Sequence, residues 1–310
     1  MMDGMRSLSS PLRWKYFTPS GAEGPGNIRR HAGILVTAIA FTFFVSTVHS
    51  GEAIRSTDVA LGFAGPPGMF FVGEELIYEV SYSFFSLGTV KVQILDTIAK
   101  EGATLYQAKA FMDSYSGVPF VDLHYVFYSE IDPAYYSRFF SGLNTKDPEN
   151  TSYSDYVFEY AQNRVSTEKG IRQFSEKSVK GIDTISSFYQ DGLSLLYFAR
   201  GNVHSKSATN VPTFVNEKKV NTLINFMNKK TSSEISAVNY PIRTVELDGV
   251  AEFVGVFGLT GGFSGWFSDD DAAVPIVANM KVIIGSVRLE LKRWNRPGWV
   301  PPRALEKLPP

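Results

Sequence analysis

Three observations predict a mainly β chain, built as a curved antiparallel sheet or a partial or closed β-barrel with one covering α-helix at about residues 183–200. Aromatic residues make up 14% of the sequence and recur at alternate rather than helical positions, the spacing of half-buried strands. Short alternating runs are separated by turn residues along most of the chain. One segment alone changes to a helical period.

Leu76, Tyr78, Val80, Tyr82 and Phe84 alternate with Ile77, Glu79, Ser81 and Ser83, so a strand here buries one face and wets the other. Ser86-Leu87-Gly88 supplies a turn signal, and Val90, Val92 and Ile94 then alternate with Lys91 and Gln93, which makes Leu76 to Asp96 a hairpin. Strands are expected next at Leu105–Met112, Val121–Ile131, Tyr135–Ser141 and Tyr153–Tyr160. Asp147-Pro148-Glu149-Asn150 reads as a loop, and Gln162-Asn163 and Lys169-Gly170 as turns.

Ile185, Phe188, Tyr189, Gly192, Leu195, Leu196 and Ala199 fall at i, i+3, i+4, i+7, i+10, i+11 and i+14, one face of a helix of about four turns. Asp183 is placed to cap its start, Arg200 to complement its carbonyl end and Gly201 to terminate it. Strands resume at Val211–Val215 and Val220–Phe226 around the polar loop Asn216-Glu217-Lys218-Lys219. Glu234–Val238, Arg243–Leu247 and Val250–Val256 continue the meander, with Asp248-Gly249 as a tight turn. The last strand is expected to run from Val274 to Trp294. Its polar residues are odd-numbered at Asn279 and Lys281 but even-numbered at Ser286, Arg288, Glu290 and Lys292, a shift that a β-bulge at Ile283–Gly285 accounts for.

The run Ala32–Val48 is uncharged, mostly apolar and preceded by Arg29, Arg30 and His31, the pattern of an export signal. Ser50/Gly51 is the expected cleavage point, with Ala53/Ile54 second. Ala32-Gly33 follow the arginine pair where a twin-arginine signal carries an apolar residue and a lysine, so general secretion is favoured. A retained anchor is the competing reading, since the run is at the short edge of a membrane span. The expected organisation is a signal peptide with a long n-region over residues 1–50, an irregular leader over 51–69, a single mainly-β domain over 70–294 and a Pro-rich tail over 295–310. With the leader cleaved, the mature chain does not span a membrane.

Composition narrows the chemistry. The net charge is −1 and the bases are scattered singly, which gives no footprint for nucleic acid. The chain has no cysteine, so it carries no disulfide, thiolate nucleophile, Cys-ligated metal or lipoprotein anchor. No cofactor and no metal is expected. Beyond the leader the histidines are His124 and His204. Asp122 shares a strand face with His124, two residues away, and such a pair could orient an imidazole as the general base of a hydrolase with an unidentified nucleophile. No nucleophile-elbow sequence accompanies it, so a solvated strand face is the simpler reading, and His204 reads as a loop residue.

The densest unusual segment is Gly261–Asp271, GGFSGWFSDDD. A phosphate loop fails there for want of a following Lys-Ser/Thr and helix. Three consecutive aspartates lack the alternating spacing of calcium loops. Two readings are left, a turn whose aromatics pack on the sheet, or a ligand mouth in which Phe263, Trp266, Phe267, Asp269 and Asp270 contact an apolar or sugar-bearing guest.

Phe71-Val72-Gly73-Glu74-Glu75-Leu76-Ile77-Tyr78, Asp191-Gly192-Leu193-Ser194-Leu195-Leu196-Tyr197-Phe198-Ala199-Arg200, and Gly265-Trp266-Phe267-Ser268-Asp269-Asp270 with Pro275 and Lys281–Val287 resemble, in order and spacing, the Domain of Unknown Function 3108 family. The resemblance spans roughly Phe70 to Trp294. It implies an exported envelope protein of Gram-negative bacteria, periplasmic or outer-membrane-associated, and supplies no activity or catalytic residues. The expected function is non-enzymatic binding of an apolar or amphipathic, lipid-like envelope molecule. The alternative is a structural or assembly factor that docks onto an envelope protein partner.

Overall fold

The structure is a computed structural model that describes residues 69–118, 121–254, 259–282 and 285–304. The apolar run Ala32–Val48, both expected cleavage points and the leader before Met69 lie outside the described residues. So do Val256 and the end of the Pro-rich tail.

Among the described residues are fourteen strands and one α-helix, besides short 3-10 turns: β1 (Glu75–Tyr82), β2 (Phe85–Lys100), β3 (Ala103–Ser114), β4 (His124–Ile131), β5 (Ser137–Asn144), β6 (Ser152–Glu159), β7 (Arg164–Ile171), β8 (Val179–Thr184), α1 (Ser194–Asn202), β9 (Ser207–Val215), β10 (Lys218–Ser233), β11 (Ile242–Val254), β12 (Leu259–Ser268), β13 (Pro275–Val282) and β14 (Ser286–Asn295). All the strands join one antiparallel sheet in the order β8-β7-β6-β5-β4-β3-β2-β1-β14-β13-β12-β11-β10-β9. Two meanders are therefore joined twice, by the α1 crossover in sequence and by the pairing of the first strand with the last in space. The sheet is curved and unclosed, so the expected mainly-β class holds. Its end strands β8 and β9 do not pair with each other; instead Gln190 forms a parallel bridge to Thr213 of β9.

The alternation read in β1 is the burial observed, with Leu76, Tyr78 and Val80 buried and Ile77 and Glu79 half-exposed. The hairpin turns earlier than expected, at Ser83-Phe84, where Ser83 takes the left-handed region at φ 54°. Ser86-Leu87-Gly88 lies within β2, beside a register shift at Val80/Ser81. Inward residues of β1 to β4, β13 and β14 form the main core, including Leu76, Val92, Ile94, Ile131, Val287 and Leu291. A second cluster joins Val211, Ile224, Phe226, Val245 and Phe267 to Ala199 and Val203 at the end of α1. A third is aromatic, and in it Phe214 of β9 meets Tyr156 of β6 edge-on at 5.0 Å, so sheet curvature brings distant strands together.

Several expectations are corrected. The helix begins at Ser194, not at 183. Asp183 lies within β8, and Ile185, Phe188 and Tyr189 lie in the non-helical connection that follows it, where the spacing of buried and half-buried residues imitates a helix. Asp191 caps the helix, its Oδ1 accepting from the N–H groups of Leu193 (2.7 Å) and Ser194 (2.8 Å). Gly201 is inside the helix rather than beyond it, because a Cβ there would stand 2.2 Å from the Tyr135 ring. Arg200 is fully buried and serves an ion pair instead of the helix end.

Lys169-Gly170 falls inside β7, and β8 went unread because all of its residues are exposed and show no alternation. Glu234–Val238 is a connection, not a strand. Asp248-Gly249 is the middle of β11, where glycine is needed because a Cβ would lie 2.3 Å from the Phe263 ring and 2.4 Å from the Leu223 carbonyl oxygen. The long last strand is a hairpin of β13 and β14. Lys281 faces Ser286, and the Val282 N–H donates to the Gly285 carbonyl at 3.2 Å. Cross-strand pairing of odd with even residues puts Asn279, Lys281, Ser286, Arg288 and Glu290 on one face, so no bulge is required to explain the shift in parity; residues 283 and 284 of the expected bulge lie outside the described residues. Past β14 the chain docks, with Arg243 donating its N–H to the Pro302 carbonyl (2.7 Å) and Trp299 packing edge-on against Trp294 at 5.7 Å.

Candidate functional site

Among the places where the described residues bury strongly polar side chains, two lie at the ends of α1. The first is an ion triad. Glu74, one residue before β1, and Arg200, in the last turn of α1, are each 1% exposed. Arg200 donates Nη1 to Glu74 Oε1 at 2.6 Å and Nη2 to Oε2 at 3.0 Å, while Nη2 also reaches the Ala272 carbonyl at 2.9 Å. Arg296, just after β14, binds Glu74 Oε2 as well and lies over the Phe71 ring at 5.0 Å. Burial by itself would raise the Glu74 pKa; the two guanidiniums outweigh it and hold the carboxyl below its ordinary 4.5. The triad ties the start of β1, the helix, the turn after β12 and the tail into one unit.

The second place is at the other end of α1. Leaving β8, residues 185–190 run between two parts of the sheet. The Ile185 N–H donates to Asn163, and the Tyr189 carbonyl accepts from the Ser137 N–H at 3.1 Å and from the Tyr160 hydroxyl at 3.3 Å. Gln190 donates its N–H to Pro212 (2.9 Å) and accepts from the Phe214 N–H (2.8 Å). Pro212 has no N–H to offer that edge, and before Gln190 the two chains separate. A crevice of about 140 Å³ opens between them.

Its walls are Tyr136, Phe188, Phe198, Val211 and Pro212; Ser187, Thr209 and the exposed Asn210 form the rim. Tyr136 stacks on Phe188 with ring centroids 4.6 Å apart, and Phe188 in turn meets Tyr160 at 4.6 Å, so the aromatic wall is held from behind. Gln190 is among the lining residues and is 1% exposed, and neither its Oε1 nor its Nε2 has a hydrogen-bond partner. Its neighbour Asp191 is buried but fully engaged, taking the two cap bonds and the Ser129 hydroxyl at 2.5 Å. Burial raises the Asp191 pKa in spite of those bonds. Among the described residues no acidic or basic side chain lines the crevice.

The residues singled out in the sequence are elsewhere. His124 is half-exposed at the start of β4, with Nδ1 2.9 Å from Asp113 Oδ1 and Nε2 3.4 Å from Asp122 Oδ1. Both ring nitrogens thus face carboxylates, and Asp122 is drawn to Lys146 at 2.6 Å, which lowers its pKa. His204 follows α1, with Nδ1 3.3 Å from Lys230 Nζ. Gly261–Ser268 is not a loop but most of β12, with Phe263 and Phe267 against the second core cluster and Trp266 against the first. Asp269 pairs with Lys230 and with Arg243 (3.3 Å). Asp270 shapes the following turn, accepting from Ser268 Oγ (2.7 Å), the Ala272 and Ala273 N–H groups and Trp299 Nε1 (2.9 Å). None of these five residues lines the crevice. Among the described residues no group of three or more His, Cys, Asp or Glu side chains could hold a metal ion. Gln190 itself carried no sequence signal: it is one polar residue within a run that reads as helix.

No protein-family model and no curated protein matches the chain. Among solved structures it is similar to a beta-barrel-like protein of Domain of Unknown Function DUF1849 from Brucella abortus, with a TM-score of 0.52 and 10% identity over 73% of this chain and 98% of that one. A protein with a YmcC-like fold from Bacteroides fragilis aligns over 73% of this chain and 97% of its own at 6% identity, with a TM-score of 0.32, too low to bear on the fold. The first likeness shows architecture alone, a barrel-like antiparallel sheet found in a domain of unknown function.

Proposed function

We propose that the chain is an exported envelope protein of the Domain of Unknown Function 3108 type that binds an apolar or amphipathic molecule through the crevice at Gln190 without transforming it. One observation carries this reading: a crevice of about 140 Å³ is walled by Tyr136, Phe188, Phe198, Val211 and Pro212, the aromatic and apolar lining that small-molecule sites have. Export is supported by the run Ala32–Val48. Among the described residues no helix is long and apolar enough to cross a membrane. The volume limits the guest. About 140 Å³ is close to the space that accommodates one benzene ring, so the crevice takes the ring or short end of an amphipathic molecule rather than a whole acyl chain.

The test is native mass spectrometry, followed by solvent extraction, on protein purified from the compartment to which it is exported. A discrete small-molecule adduct released on extraction is expected. A clean chain mass, unchanged by incubation with an envelope lipid extract, would move the weight to the second reading. That reading is partner docking, favoured by the end strand β8, where Val179 and Ile182 are 63% and 73% exposed beside an unpaired edge.

A further inference from the structure

We propose that one end of the sheet docks onto a lipid bilayer surface, with Phe84, Phe85 and Tyr115 seated in the interface and Lys281 reaching the headgroup phosphates. The proposal is independent of the crevice. It follows from how the antiparallel order sorts the connections between strands.

In such a sheet alternate connections fall at the same end. The end of β1 and the start of β14 meet there as Tyr82 opposite Val287, and Lys281 of β13 faces Ser286 one step further out. At the β1–β2 turn Phe84 is 82% and Phe85 58% exposed, their rings leaning on each other at 4.2 Å. Tyr115, 42% exposed at the end of β3, donates its N–H to the Leu87 carbonyl at 2.9 Å, which sets the two turns side by side. Behind them Tyr82, Leu87, Met112 and Val282 pack on the main core but are only partly buried, so the apolar surface continues inward from the rim. Single exposed aromatics are ordinary; three on adjoining turns form a patch. It is confined to the middle of this end. The outer connections there carry Asp147-Pro148-Glu149-Asn150 and Asn216-Glu217, and the connections at the opposite end carry Glu101, Asp132 and Asp269–Asp271. The chemistry favours a bilayer over a protein, whose partner surface takes about 20–30 residues a side. Two narrow turns flanked by charged ones fall short of that, whereas a few aromatic rings beside a lysine suffice to anchor at an interface. Lys281 is exposed and joins no ion pair among the described residues. Asp113 and Asp122, on either side of the Tyr115 turn in sequence, are countered by His124 and Lys146, and the acidic end of the sheet points away from the headgroups.

The test is flotation of the exported chain with vesicles of phosphatidylethanolamine and phosphatidylglycerol. The wild-type chain is expected to float with them. Replacing both Phe84→Ser and Phe85→Ser is expected to lower the partition coefficient at least about tenfold, the equivalent of one buried phenyl ring. Ile182→Ser, which removes a comparably exposed apolar side chain from β8, leaves it unchanged. Lys281→Gln weakens binding several-fold on these vesicles but not on phosphatidylcholine alone. In Phe84→Trp, brominated acyl chains quench the added indole beyond any quenching of the wild-type tryptophans. Both phenylalanines are exposed, so the double variant is expected to fold; should it not, the Phe84→Trp quenching decides alone. Vesicle binding that survives the double substitution, as a retained Ala32–Val48 run would give, overturns the proposal. So does a wild-type chain that stays in solution, and a cross-link from position 84 to an envelope protein in that case would give the rim to a protein partner instead.

Discussion

Glu74 and Gln190 are buried to the same degree at opposite ends of one short helix, and they could hardly be treated more differently. Glu74 is gripped by two arginines, whereas the Gln190 side chain is gripped by nothing. Burial of a polar group is therefore no mark of function in this fold. The first place spends its polarity on joining four separate parts of the chain; the second leaves its polarity unspent. What distinguishes the two is whether the hydrogen bonds are made.

The contrast breaks most visibly at the triad. Glu74→Ala leaves two buried guanidiniums without their counter-charge and is expected to cost about 3–5 kcal/mol, read by urea denaturation. Its pH dependence has a fixed sign. Because the folded-state pKa of Glu74 is lowered, the stabilisation is complete above 4.5 and is lost as pH falls through the lower folded value. A wild-type chain whose acid unfolding matched that of Glu74→Gln would contradict the triad's role.

Gly201→Ala comes next. Its Cβ would meet the Tyr135 ring at 2.2 Å, and overpacking of this kind costs about 1–3 kcal/mol. Thermal unfolding of this variant tests how tightly the last turn of the helix, beside Arg200 of the triad, is seated against Tyr135.

Asp191, beside the crevice, sharpens the comparison. Replacing it by Ala removes the helix cap at about 1 kcal/mol, whereas Asp191→Asn keeps an acceptor for the cap bonds. Its pKa is raised, so ionisation opposes folding, and acidification through the raised value relieves that strain, the reverse of Glu74. Asp191→Asn is expected to be more stable than Asp191→Ala at every pH, since neither side chain titrates, whereas the wild type gains stability relative to Asp191→Asn as pH falls through the raised value.

Gln190→Leu is the smallest effect and the only one of opposite sign. Removing two unsatisfied buried atoms is expected to leave stability unchanged or raise it by up to about 1 kcal/mol. A clear loss in denaturant unfolding would mean that Gln190 is a structural residue after all.

Much of the sheet was legible in advance, and the exceptions share a cause. β1, β3 and β6 announce themselves because one face is buried and the other wet, so the period of two survives in the residue types. β8 has no buried face and so has no pattern. The stretch 185–190 bends at Ser186-Ser187 and so has no period of two, which lets Ile185, Phe188 and Tyr189 fall in step with the true helix at Ser194. Asp248-Gly249 has the composition of a turn, but its glycine answers to the Phe263 ring on the neighbouring strand, a contact that no local window contains. The crevice was the least legible feature of all. Gln190 stands out because of bonds it does not make, and absence of a partner is a property of the assembled sheet rather than of any segment.

The seam between β1 and β14 sets the order in which the molecule can be completed. Glu74 and Arg296 are 222 positions apart in the chain, yet they meet where the sheet is joined in its middle. Each meander can zip through local hairpins, but a nascent chain emerging from its N-terminus has no strand to set beside β1 until the last segment arrives. Until then the outer edge of β1 stays open, and the Glu74 carboxylate and Arg200 wait for Arg296. A chain cut short before Ser286 would not lose a peripheral strand; it would leave two half-sheets with raw inner edges, the kind of surface that aggregates or is recognised by a chaperone.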